Sequence, residues 1–159
     1  MKSLVVFYSR TGNTKKVAES IAEQLDADME KLIDMKKRAG IIGWLRSGWD
    51  AIREKTTDLR VTKYSPEEYE LILLGTPVWA NKITPALRTY ILEKKDAFKR
   101  VAFFCTEGSS DADDVFSSLE NLCEKQPIST KEILAKEVKK GLYKDKVGKF
   151  VQDIQNNTQ

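Results

Sequence analysis

The chain contains no histidine, and that single absence removes whole classes of chemistry. Ser-His-Asp triads, histidine general bases and most zinc sites all need an imidazole. Cysteine is nearly as scarce: Cys105 and Cys123 are too few for a disulfide scaffold and lack metal-ligand spacing. No apolar run approaches the roughly 20 residues of a membrane-spanning helix. The first one, Leu4–Tyr8, is too short for the core of an export signal. These lacks make the cytoplasm the expected compartment. Charge of one sign is also in short supply. With 27 Lys and Arg against 24 Asp and Glu, the formal +3 is too small to imply a nucleic-acid partner. No repeat, low-complexity tract or Gly/Ser/Pro linker divides the sequence, so residues 1–159 are expected to form one domain.

What the chain does have is alternation. Leu4-Val5-Val6-Phe7-Tyr8, Leu71-Ile72-Leu73-Leu74 and Val101-Ala102-Phe103-Phe104-Cys105 are continuous apolar runs, the pattern of strands covered on both faces. Ala27–Ile33 is a weaker, alternating strand candidate, and a last strand is expected within Ile128–Val138. Between them lie helical stripes. Val17, Ala18, Ile21, Ala22 and Leu25 form one; Val115, Phe116, Leu119, Leu122 and Cys123 another; Val147, Phe150, Val151 and Ile154 a third. Thr84-Pro85 opens a further helix, expected to reach Lys94, with a capping residue and proline at its first position. Strand–helix alternation of this kind predicts an α/β, three-layer, doubly wound parallel sheet of five strands. In such sheets ligands bind outside the carboxyl ends of the strands. The loops that matter then follow Tyr8, Gly75 and Cys105.

Ser9-Arg10-Thr11-Gly12-Asn13-Thr14 packs three hydroxyls and one glycine into the turn before the first helix. Free amides at a helix start and the helix dipole favour an anion there. Gly12 permits close approach or a positive φ. The competing account is a plain helix start capped by Thr11 or Asn13, but one cap needs one hydroxyl. There is no Gly-Lys-Ser/Thr of a P-loop and a single glycine is no dinucleotide fingerprint. A mononucleotide phosphate fits best.

These six residues resemble the flavodoxin family's phosphate loop, Ser/Thr-x-Thr-Gly-x-Thr after the first strand, at every fixed position. Glu70–Trp79 is similar to that family's third strand and flavin loop, and the likeness in strand–helix order spans the chain. The resemblance implies a short-chain flavodoxin-like protein with strand order 2-1-3-4-5 and FMN as cofactor. It implies phosphate contacts from residues 9–14, and ring contacts from Thr76, Pro77, Val78, Trp79, Ala80, Asn81 and Lys82. Trp79 is the natural packing face, its alternative being burial beneath the loop; Lys82 could equally be solvated. It also implies backbone contacts to the pyrimidine edge from Thr106, Glu107, Gly108 and Ser109, a loop without the aromatic that well-known flavodoxins carry there. Glu107 beside a reduced ring would lower its potential by Coulomb repulsion. Cys105 reads as a buried strand end rather than a nucleophile. A phosphatase cradle would need arginine where Asp111 stands, and a receiver domain paired acids where Ser9-Arg10 stand.

No catalytic side chain is assigned. The implied role is an electron carrier between redox proteins; the alternative is an NAD(P)H-dependent flavin or quinone oxidoreductase, as monomer or homodimer. Residues 38–57 are expected to form the second helix, with Ile41, Leu45, Trp49 and Ile52 on one face and Trp44 off it. Gly40, Gly43 and Gly48 would weaken such a helix, which leaves a lid or dimer patch open as the other reading. Lys131, Lys136, Lys139, Lys140, Lys144, Lys146 and Lys149 form either a solvated face or a surface that docks an acidic partner.

Overall fold

The computed structural model describes residues 1–35, 49–50, 53, 55–108 and 112–158. Five strands, β1 (Ser3–Phe7), β2 (Asp28–Lys31), β3 (Leu71–Pro77), β4 (Val101–Glu107) and β5 (Pro127–Leu134), pair in the order β2-β1-β3-β4-β5. Every pairing is parallel. The helices are α1 (Asn13–Leu25), α2 (Pro85–Lys94), α3 (Asp113–Cys123), α4 (Ala135–Lys140) and α5 (Lys144–Asn156). The sheet is doubly wound in the expected strand order.

The three central strands are buried along almost their whole length, and the alternation of side chains divides them between two cores. Leu4, Val6, Ile72, Leu74, Phe103 and Cys105 face one side, against Leu87, Tyr90 and Ile91 of α2 and Val115 and Leu119 of α3. Val5, Phe7, Leu71, Leu73 and Phe104 face the other, against Val17 and Ile21 of α1 and Val147, Phe150 and Ile154 of α5. Each such side chain contributes about 1.5–3 kcal/mol when fully buried. The packing leaves no slack at Gly75: a Cβ added there would lie 2.1 Å from the ring of Phe104.

The outer strands behave differently. β2 is shorter than the expected 27–33 because only Glu30 on it is buried. Beyond β2, Leu59 bridges Asp34, the Met35 amide donates to Asp58 O (2.9 Å) and the Arg60 amide to Ile33 O (3.0 Å), so a crossing segment covers that border. β5 opens on Pro127, carries Lys131 and Glu132, and buries only Ile133. It ends at Leu134, inside the expected stretch 128–138, and starts one residue before it; Val138 belongs to the short α4. The Leu134 amide donates to Glu137 Oε2 (2.8 Å), a local contact that starts a helix instead of continuing the strand.

Most of the expected second helix over 38–57 lies outside the described residues, Trp44 and the three glycines among them. Trp49 is described and 55% exposed, with the Arg53 guanidinium 4.5 Å from its ring centre. Among the described residues no helix is long and apolar enough to cross a membrane.

Candidate functional site

The carboxyl ends of β3, β4 and β5 and the start of α1 surround a cleft of about 370 Å³. Its first wall comes from the turn after β1. Gly12 there has φ 98° and ψ −11°, a left-handed conformation that costs other residues about 1–2 kcal/mol. Gly12 sits at the cap position and has no side chain to cap α1, so neither Thr11 nor Asn13 is the cap. Instead Ser9 Oγ accepts the amides of Gly12 (3.2 Å) and Lys15 (3.2 Å). Two donors at the start of a 13-residue helix thus converge on one oxygen. No acidic side chain in the first turn offsets the positive end of the dipole. Beneath them Thr14 Oγ1 and Thr106 Oγ1 are hydrogen-bonded at 2.7 Å, both buried, which ties this turn to the end of β4.

The second wall follows β3. Trp79 and Lys82 exchange both backbone hydrogen bonds, each 3.0 Å. Between them Ala80 (φ 49°) and Asn81 (φ 58°) are both left-handed, as a two-residue hairpin turn of primed type requires. This tight turn holds Trp79 in place. Its ring stands edge-on to Tyr8, centroids 5.4 Å apart at 90°, so the indole packs on the core and lines the cleft at once. Packing under the loop and exposure to the cleft are thus combined in one side chain. The Val78 amide donates to Thr106 O (3.0 Å), joining this wall to the third.

Of the residues singled out in the sequence, Arg10, Thr11, Asn13, Thr14, Pro77, Val78, Trp79, Thr106, Glu107 and Gly108 line the cleft. Ser9 and Gly12 do not line it but hold the adjoining turn through the bonds above. Thr76 is fully buried instead, its hydroxyl donating to Pro77 O (2.8 Å) and lying 3.2 Å from that of Thr84. Ala80 and Asn81 form the exposed tip of the hairpin, and Lys82 closes it. Ser109 lies outside the described residues. The sequence reading missed Ala135, which lines the cleft from the end of β5, and Tyr8, which props Trp79. The position of both at strand carboxyl ends was the available signal.

Cys105 is fully buried, and burial, reinforced by Glu107 and Glu132, pushes its thiol far above the usual range. Such a thiol is no nucleophile at neutral pH. Among the described residues the cleft thus offers Arg10, Thr11 and Asn13 as donors, the Trp79 ring and the Glu107 carboxyl group, and no thiol that could react.

A parallel sheet wound on both faces, with a cleft at the carboxyl ends of its strands, defines an α/β protein of the open-sheet, doubly wound class. The chain belongs to the flavodoxin family, whose profile matches residues 2–154. It is similar to the flavoprotein of Lactobacillus acidophilus solved in complex with FMN: 23% identity, 87% of this chain and 97% of that one, TM-score 0.74. It is similar also to a protein of Bacteroides uniformis described as a flavoprotein, at 26% identity over 89% and 97% of the two chains with TM-score 0.76. The oxidised flavodoxin 1 of Bacillus cereus shares the fold at 20% identity over 96% and 98%, with TM-score 0.52. No curated relative matches the sequence.

Proposed function

We propose that the cleft binds FMN and that the protein carries electrons between redox proteins. The observation that carries this reading is a cleft lined by Arg10, Thr11, Asn13 and Thr14 at the head of α1 together with Trp79, with no acid in the first turn of that helix. Helix-start donors of this kind suit the dianion of a phosphate monoester. The donor set fits FMN: Ser9, Thr11, Asn13 and Thr14 with the turn amides hold the phosphate, and Arg10 adds a positive charge. Trp79 supplies an apolar face to a flat ring. Backbone groups of Thr106–Gly108 serve the polar edge. Bound there, the flavin ring supplies acceptance and release of one or two electrons. Glu107 puts a carboxyl group at the same cleft, where its negative charge opposes added electron density. Family membership and the FMN complex of the Lactobacillus acidophilus protein support the choice of cofactor. Both cores lie on one sheet, which supports reading residues 1–159 as one domain.

Titration of the apoprotein with FMN and with riboflavin tests this reading. FMN fluorescence should be quenched at stoichiometric protein, and riboflavin, lacking the phosphate, should bind at least about tenfold more weakly, the equivalent of about 1.4 kcal/mol. Unquenched FMN would end it.

A second reading, an NAD(P)H-dependent flavin or quinone oxidoreductase, has one observation in its favour. The described part of the third loop, Thr106–Gly108, carries no aromatic, so Trp79 is the cleft's aromatic wall on one side only. Steady NAD(P)H oxidation with a quinone by the pure holoprotein would decide for the enzyme, and its absence for the carrier.

A further inference from the structure

We propose that α4 and the turn after it form a docking surface for the acidic face of an electron-carrying protein. The word "electron-carrying" rests on the function proposed above; the surface itself rests on charge and place.

Residues 135–149 contain six lysines and two acids, a surplus of four, whereas the whole chain carries +3. The remaining residues together are thus slightly acidic in sum. Folding leaves the surplus of four in place, since it pairs one acid with one lysine. Glu137 is spent internally: it accepts the Leu134 amide and pairs with Lys146 at 2.9 Å, which keeps its carboxyl group below the usual range. Lys136, Lys139, Lys140 and Lys144 are exposed and form no salt bridge among the described residues. Val138 is the residue of α4 that enters the core, so the remaining surface of this short helix is free to meet a partner.

The turn gives the lysines an apolar centre. Gly141 is left-handed (φ 72°), its amide donates to Val138 O (3.2 Å), and the Leu142 amide donates to Glu137 O (2.9 Å). In this motif the residue after the glycine commonly folds back on the helix. Leu142 is instead 63% exposed, between Lys140 and Lys144. An apolar centre within a charged rim is the anatomy of a protein interface. The segment also starts at the cleft, since Ala135 lines it. A partner seated on α4 therefore lies beside the cofactor site, where electrons must pass. Opposite charge on that partner speeds encounter and orients it.

An acidic protein suits this surface better than a nucleic acid. All the positive residues here are lysines, point charges without the planar fork that favours phosphate. The one nearby aromatic, Tyr143, packs against the core instead of offering a stacking face.

The test measures binding of full-length protein, with and without FMN, to three probes: a plant-type iron–sulfur ferredoxin (acidic), cytochrome c (basic) and a labelled oligothymidine. At low salt ferredoxin should bind the most tightly, and raising salt to about 0.3 M should weaken it about tenfold or more, as the screening length falls. Lys136→Glu/Lys140→Glu should weaken it similarly. Lys99→Glu/Arg100→Glu, the same change in net charge at the opposite end of the sheet, should leave it within about twofold. Leu142→Ser should weaken binding without changing the salt slope. Equal effects of the two charge-reversed pairs, tighter cytochrome c binding, or no ferredoxin binding would overturn the proposal. Tight oligothymidine binding would assign the surface to nucleic acid instead. Because binding is read without FMN as well, failure to take up FMN overturns only the cofactor reading, and the salt series on the unaltered protein does not depend on any variant folding.

Discussion

Tyr90 buries a hydroxyl that has no hydrogen-bond partner among the described residues. The ring itself is well placed, stacked at 24° on Phe98 with centroids 6.1 Å apart in the core beneath α2. The side chain thus keeps the packing of phenylalanine while burying a polar atom at a cost of about 1–3 kcal/mol. Tyr90→Phe should accordingly raise the unfolding free energy, by about 1 kcal/mol, as measured by urea denaturation. A loss of stability instead would show that the hydroxyl is satisfied. Single residues were legible in the sequence where one property decided the matter, as with Gly12, where only glycine relieves the positive φ, and Cys105 at its strand end. They were illegible where a neighbour decides. Nothing in the order of residues tells Thr76, tied to Thr84, from Thr106, tied to Thr14 at the edge of the cleft. Nor does it reveal that Ser9, not Thr11 or Asn13, satisfies the free amides of α1.

Elements declare themselves in proportion to how fully they are buried. β1, β3 and β4 lie between two helical layers and read as unbroken apolar runs, and α1, α3 and α5 show their stripes plainly. β5 and α4 do not. A border strand with one buried residue has little pattern, and the point where it becomes a helix depends on the contact of Glu137 with the Leu134 amide. The hairpin tip was hidden for another reason: Ala80-Asn81 lacks the glycine that announces such turns. Among the described glycines the tightest fit is that of β3 against β4 at Gly75. Gly75→Ala drives a methyl group into the Phe104 ring, and overpacking of this kind costs about 1–3 kcal/mol. Thermal melts should show that loss, and combining it with Phe104→Leu, which makes room, should recover part of it. Simple additivity of the two losses would mean the contact is not what limits this position.

Across the whole molecule, both thiols titrate against the folded state. Burial holds Cys105 far above its usual value and raises Cys123 to about 12. In the unfolded chain both ionise near about 8.5. Below that pH the two states bind the same protons and the thiols contribute nothing to the pH dependence. Above it the unfolded chain releases protons that the folded chain keeps, so stability falls as pH rises, by about 1.4 kcal/mol per pH unit for each thiol. Urea midpoints should therefore drop between pH 9 and pH 10.5, and Cys105→Ala/Cys123→Ala, though less stable at pH 8, should show a shallower slope over that interval. An unchanged slope would place the alkaline sensitivity elsewhere, with Tyr69 and Tyr90 as the next groups to examine, since burial raises both.

The two borders of the sheet have a bearing on the protein's behaviour in concentrated solution. Strands stick to strangers through unsatisfied backbone groups along a flat, greasy rim. On one flank the chain's own segment at Leu59 pairs just beyond β2, and on the other the strand begins with an imino acid and carries a lysine and a glutamate on opposite faces. A template for fibril growth is thereby blunted at both flanks, and this domain should tolerate crowding at high concentration without cross-β deposits.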